Sequence, residues 1–319
     1  MKKIVMVRRT GLGDFIAGMV PVCNLLKKKY GNVEFHLFMS KRNAELVKYF
    51  FPEDVYIYIW TSGNKYIQAI NLGLKYRKIN PDIGLSPIPD WPKLNNLFLF
   101  LIGAKERYAR VNQKLLSRIF INHPLKMDDD MIHSYHVGLG SLKVYDSSIN
   151  NIEQELLPRF NKSLIPDFNT ELTGPFIMVE VSNNRITSQL SNEKMARILN
   201  DLINIKKFAV FITAKTEDKK KAENLKSMLN MESEIYINPD IHKFISFVNK
   251  ADIVLAGDGG LGHIAGALNK KIVAVYGQTS IERWGILGGK VEHLYDPVDV
   301  NNIDDIIIKK AGQGFFYLI

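Results

Sequence analysis

Residues 3–30 read KIVMVRRTGLGDFIAGMVPVCNLLKKKY, and this stretch decides the fold. Lys3 to Arg8, with Ile4-Val5-Met6-Val7 at its centre, is a short apolar run of the kind that forms a strand buried on both faces. Thr10-Gly11-Leu12-Gly13 interrupts it as a tight loop. Asp14 to Tyr30 then reads as a helix, closing on Lys27-Lys28-Lys29, cations where the helix dipole favours them.

The same alternation continues outward. Val33–Met39, Val55–Ile59 and Ile83–Ile88 read as strands, with a helix from about Asn43. Between Asp146 and Pro175 the character changes: Asn150-Asn151, Pro158, Pro166 and Gly174-Pro175 mark a boundary, set between domains of residues 1–155 and 156–319. Beyond it the strands Phe176–Val181, Phe208–Thr213, Ile253–Ala256 and Ile272–Tyr276 alternate with helices Ser191–Ile203 and Glu217–Leu229. The expected fold class is α/β: two Rossmann-like domains with parallel sheets, facing across a cleft lined by the strands' carboxyl ends, where ligands of such sheets bind.

Composition narrows the function. The chain has 319 residues, 46% hydrophobic and 24% charged, enough for two packed cores. The single cysteine, Cys23, excludes an internal disulfide and a thiolate zinc cluster, and reads as a small buried apolar residue in a reducing cytosol. The opening Met1-Lys2-Lys3 and its apolar run are too short for a signal peptide, and Leu97–Ile102 is too short to span a bilayer, so a soluble, cytoplasmic protein is expected. The net charge is +9, and most of it lies between Lys75 and Lys126, where ten Lys and Arg face Asp82, Asp90 and Glu106. That stretch is either a solvated basic face or a surface for an anionic partner, with Arg107 and Arg110 as candidate contacts. No nucleic-acid motif accompanies it, which favours an anionic lipid or glycolipid.

Two glycine-rich loops carry the candidate chemistry. Gly11-Leu12-Gly13-Asp14 lacks the third small residue of a dinucleotide fingerprint, because Ile16 stands there, and Asp14 would repel a pyrophosphate. The missing fingerprint also opposes a nicotinamide-dependent oxidoreductase. Asp14 therefore either caps the helix or presents a carboxylate to a substrate. The second loop, Ala256-Gly257-Asp258-Gly259-Gly260-Leu261-Gly262-His263, holds four glycines in six residues ahead of the small-residue helix Ile264-Ala265-Gly266-Ala267. Its amides, the helix dipole and His263 would favour a diphosphate. Asp128-Asp129-Asp130 reads as a polar loop, and His133 and His136, three apart on an expected helix, lack a third metal ligand. P-loop, zinc-protease and α/β-hydrolase signatures are absent.

Taken together, these motifs resemble glycosyltransferase family 9, the lipopolysaccharide heptosyltransferases. Lys3–Arg8 with Gly11-Leu12-Gly13-Asp14 resembles the family's first strand and "R…LGD" loop, and Pro21 falls where its helix carries a proline. Asp258 to His263, then Val273–Tyr276 with Gly277-Gln278-Thr279 and Trp284-Gly285, follow the family's order "D-[TS]-G-P-x-H", strand, "G-[PA]-T", "W-G". The resemblance implies a GT-B fold and an inverting transfer without a metal or other cofactor. It implies Asp14 as general base, with Gly11 and Gly13 beside the acceptor, and a donor, ADP-heptose, bound by Asp258, Gly259, Gly260, Leu261, Gly262 and His263. It implies an anionic core glycolipid as acceptor, with peripheral contact at the cytoplasmic face of the inner membrane. Three positions depart from the pattern: Gly259 replaces a hydroxyl residue, Leu261 a proline, and Ser188 a lysine, leaving Arg185, Thr187 or Ser188 to meet the donor phosphates. A different nucleotide-sugar, or a non-catalytic relative that binds nucleotide or glycan, are the alternatives.

Overall fold

Lys2–Arg8 forms β1, fully buried from Ile4 to Arg8, as its apolar run requires. It is shown in a computed structural model that describes the chain apart from residues 10, 52, 54, 61–62, 88–91, 112–117, 127–133, 238–239 and 317–319. The chain divides into two compact units, Met1–Pro158 and Arg159–Ile319.

In the first unit, β2 (Val33–Met39), β3 (Val55–Ile59), β4 (Ile83–Ser86), β5 (Glu106–Val111) and β6 (His123–Lys126) join β1 in the order β3-β2-β1-β4-β5-β6. Every pairing is parallel, for example Ile4 with Phe35 on one side and Ile83 on the other. One face is packed by the helices Lys65–Lys75 and Pro92–Leu101 around Val5, Val7, Phe38, Phe98 and Leu99.

The second unit repeats this winding. Its strands are β7 (Phe176–Glu180), β8 (Ala209–Thr213), β9 (Ser233–Tyr236), β10 (Ile253–Gly257), β11 (Lys271–Tyr276) and β12 (Lys290–Tyr295). They run parallel in the order β12-β11-β10-β7-β8-β9. Ser191 caps the helix Asn192–Leu202, whose Met195, Ile198, Leu199 and Leu202 pack on Val179, Val210 and Ile212. The expected fold class, α/β with two Rossmann-like domains, is what the structure shows.

Strand order reverses between β1 and β4 in one sheet and between β7 and β10 in the other. Connections leave such a pair in opposite directions, so a crevice opens at the carboxyl ends. β1 ends in Arg8 and leads to Gly11–Asp14; β10 ends in Gly257 and leads to Asp258. Both glycine loops therefore lie at reversal points.

Candidate functional site

The first loop enters a helix that changes pitch twice. Leu12–Asp14 is one α turn, Phe15–Met19 is π-helical, and Val20–Tyr30 is α-helical. Pro21 has no N–H to offer the carbonyl four residues back, and the ladder widens just before it, with the Val20 N–H bonded to the Phe15 carbonyl. Gly11, not Asp14, is the cap of the first turn, and neither turn is capped by a side chain. The capping role weighed for Asp14 is therefore not the one it plays.

The Asp14 carboxylate lies 3.2 Å from Nη2 of Arg8, a side chain with no solvent exposure. Arg8 Nη1 donates to the Pro87 carbonyl at the end of β4, at 3.5 Å, so the guanidinium bridges the two strands of the reversal point. Asp14 keeps 20% of its side chain exposed. Gly11 is exposed, and a Cβ there would sit 3.8 Å from Asp14 Oδ2, so the loop leaves the carboxylate uncovered. Gly13 is half-buried inside the turn. Sequence reasoning placed Arg8 at the end of a buried strand and in the family's opening motif, but missed its contact with Asp14.

Asp258, the first residue beyond β10, is 6% exposed and accepts a 2.6 Å bond from Arg185 Nη1. Arg185 stays 55% exposed. Asn183 ties the two segments together, donating to the carbonyls of Asp258 and Ser188 at 3.0 and 3.3 Å while its own Oδ1 accepts from the Arg185 N–H. Gly259 caps the helix Gly260–Ala267 in an extended conformation. The first N–H groups of that helix have no partner within it, and its dipole favours an anion there.

The glycines of this loop have separate duties. A Cβ on Gly257 would lie 2.1 Å from the Ser188 carbonyl oxygen, and one on Gly277 would lie 2.4 Å from that of Thr187. On Gly262 and Gly266 it would strike Ile286, at 2.7 and 2.5 Å. Gly257, Gly262 and Gly266 thus let protein segments approach one another, where the sequence had suggested room for an anion. Gly259 is different: the nearest atoms to its Cβ would be 3.9 and 4.0 Å away, so a side chain fits.

Several expected contacts are placed otherwise. Ser188 is fully buried, and its Oγ accepts the Gly277 N–H at 3.2 Å, so it locks two loops and does not present itself to a ligand. The Thr187 carbonyl is the group against Gly277, and its side chain is half-buried. Leu261 and His263 are buried, at 2% and 4% exposure, so His263 is not an open cation at the helix start. Arg107 stands at the opening of β5, away from the strands' carboxyl ends. Its guanidinium donates to the Phe120 and Ala104 carbonyls at 2.7 and 2.6 Å and lies over Phe100. It is engaged in structure, and burial pulls its pKa down. Arg110 is three residues further along the strand, so its side chain leaves the opposite face. The two arginines do not form one patch. His136 precedes the helix Val137–Tyr145 and caps it, its Nδ1 accepting from the Gly138 N–H. His133 and Asp128–Asp130 lie outside the described residues. Cys23 is buried, as expected, against the sulfur of Met6.

Two doubly wound parallel sheets in tandem, with charged groups gathered at each reversal point, form the GT-B architecture. Residues 168–301 match the profile of Glycosyltransferase family 9 (heptosyltransferase). The second unit is thus a glycosyltransferase domain of family 9, and the resemblance read from its loop motifs holds. No curated protein matches the chain in sequence. In structure it is similar to a family 9 glycosyl transferase from Veillonella parvula, with a TM-score of 0.81 at 14% identity, covering 100% of this chain and 98% of that one. It is similar to the ADP-heptose lps heptosyltransferase II of E. coli, with a TM-score of 0.76 at 15% identity, covering 100% and 99%. The E. coli heptosyltransferase WaaC with ADP gives 0.77 at 12% identity, covering 98% and 99%. These likenesses establish the fold over the whole chain.

Proposed function

We propose that the protein is an inverting, metal-independent transferase that moves heptose from ADP-heptose to a lipopolysaccharide-core glycolipid. The observation that carries this reading is the Arg185–Asp258 pair beside the open start of the Gly260–Ala267 helix, at the reversal point of the family 9 unit. Asp258 fixes one edge of the guanidinium, and the exposed remainder suits diphosphate oxygens. The amides from Gly260 onward and the helix dipole would stabilise the charge that grows on departing ADP. In the first unit, Asp14 takes the acceptor hydroxyl's proton while that oxygen attacks the anomeric carbon and the carbon–diphosphate bond breaks. Arg8 orients Asp14, and Ser188 acts as a positioning residue through Gly277. The acceptor's lipid would bring the protein to the cytoplasmic face of the inner membrane as a peripheral partner.

A second reading keeps the chemistry and changes the donor. Gly259 and Ser188, where the family pattern carries a hydroxyl residue and a lysine, favour a nucleotide-sugar other than ADP-heptose. Consumption assays with a panel of nucleotide-sugars separate the two.

The donor site is tested by ADP. At about 100 times its Kd, ADP is expected to stabilise the chain by roughly 2.7 kcal/mol. Arg185→Ala is expected to weaken ADP binding about 10–100-fold, the worth of a charge-assisted bond, measured by titration calorimetry. Absence of a melting shift with any purine nucleotide at millimolar concentration contradicts the assignment.

A further inference from the structure

The helix Lys65–Lys75 exposes most of its large apolar residues. Its buried residues are its smallest, Ala69 and Gly73, and a Cβ on Gly73 would lie 2.7 Å from Leu101 Cβ. The helix thus lies against Pro92–Leu101 on a small-residue seam. Leu72 packs on the core beside them, but the other large apolar residues point away: Tyr66, Ile67, Ile70 and Leu74 are 48%, 56%, 41% and 53% exposed. Spaced at three and four residues, Tyr66, Ile70 and Leu74, with Ile67 beside them, form one stripe. Contiguous apolar surface of this kind on a water-facing helix marks an interaction site.

The charge around the stripe says what covers it. From Val55 to Pro81 there is no acidic residue, whereas Lys65 lies at one end of the stripe and Lys75 and Lys78 at the other; Arg77 turns instead to the Leu101 carbonyl. Lys65 and Lys75 lie close to the rings of Tyr66 and Tyr76. A second copy docked on this face would set these cations against their own equivalents, which is unfavourable. An anionic bilayer satisfies both features: apolar side chains enter the acyl boundary and the lysines meet headgroup phosphates. We propose that the Lys65–Lys75 helix is a docking face for a membrane rich in anionic lipid, with Tyr66, Ile67, Ile70 and Leu74 as the inserted residues. The inference rests on the membrane contact proposed above, and not on the identity of donor or base.

The test uses the full chain and lipid alone, so its failure is distinct from failure of sugar transfer. Co-sedimentation with vesicles of phosphatidylcholine and phosphatidylglycerol (3:1) is expected, with much weaker binding to phosphatidylcholine alone. Ile67→Gln with Leu74→Gln is expected to lower the partition coefficient at least about tenfold, with ADP affinity and melting near the parent's because both residues are exposed. A fluorophore on Ile70→Cys is expected to shift to the blue on anionic vesicles. Cys23 does not compete for the label, being buried with its thiol pKa pushed up. Equal binding by parent and double variant, or no binding to anionic vesicles, overturns the proposal. Concentration-dependent dimerisation abolished by the double variant, without vesicle binding, assigns the face to a second copy instead.

Discussion

Asp14→Asn is expected to lower turnover by at least about 100-fold, since general bases contribute roughly 10²–10⁴. Asparagine has nearly the same shape but takes no proton at neutral pH. Because the carboxylate faces the fully buried Arg8, this substitution also has a structural cost. Asparagine retains an oxygen that can accept from Arg8 but loses the charge, so a destabilisation of about 1–3 kcal/mol is expected. A role as helix cap would have predicted almost none, because asparagine caps as well as aspartate. Calorimetric melting and the initial rate of ADP release, read well below the variant's Tm, separate the two effects. ADP affinity is expected to stay at the parent's value. Turnover within a few-fold of the parent would move the base elsewhere.

Gly257→Ala is expected to be among the most destabilising single methyl additions in the second unit. The new Cβ would lie 2.1 Å from the Ser188 carbonyl oxygen and 2.8 Å from Asn183 Nδ2. Asn183 is the residue that ties Asp258 to the Arg185–Ser188 segment, so relieving the clash is expected to dismantle the proposed donor site. A cost of about 3 kcal/mol or more is expected, with loss of ADP binding. Gly259→Ser, two residues on, is the matched control. The position is open and is the helix cap, so melting at or slightly above the parent's Tm is expected. Equal destabilisation by the two substitutions, seen in thermal melts, would show that the loop glycines are not specialised as described.

How far the sequence could be read depended on where each residue's partners lie. β1, β2, β4, β7, β8, β10 and β11 were legible because central parallel strands are short apolar runs, and the edge strand β3 because Val55–Ile59 is an unbroken run of β-branched and aromatic residues. β5 and β6 were not, since Glu106-Arg107-Tyr108-Ala109-Arg110-Val111 reads as charged surface and β6 contains Pro124. β9 and β12 are edge strands of mixed polarity and were missed for the same reason. Both loops at the reversal points were found, because glycine clusters between a strand and a helix are local signals. The duties of the individual glycines were not, because they are set by Ser188, Thr187 and Ile286, which are distant in sequence. The partners of Arg8 and Arg107 were not legible for the same reason. Nothing local distinguishes an arginine that reaches a carboxylate six residues on from one that closes on its neighbours' carbonyls.

The proposed activity is transfer of one sugar from a nucleotide-sugar to a lipid-linked acceptor. Its most direct measurement is incubation of the full chain with ADP-heptose and a heptose-deficient core glycolipid, followed by mass spectrometry of the lipid and quantitation of ADP. A glycolipid that gains one heptosyl unit for each ADP released is expected, with no gain for Asp14→Asn. Binding of ADP without consumption of any nucleotide-sugar, whatever the acceptor, would contradict it and make the chain a non-catalytic binder.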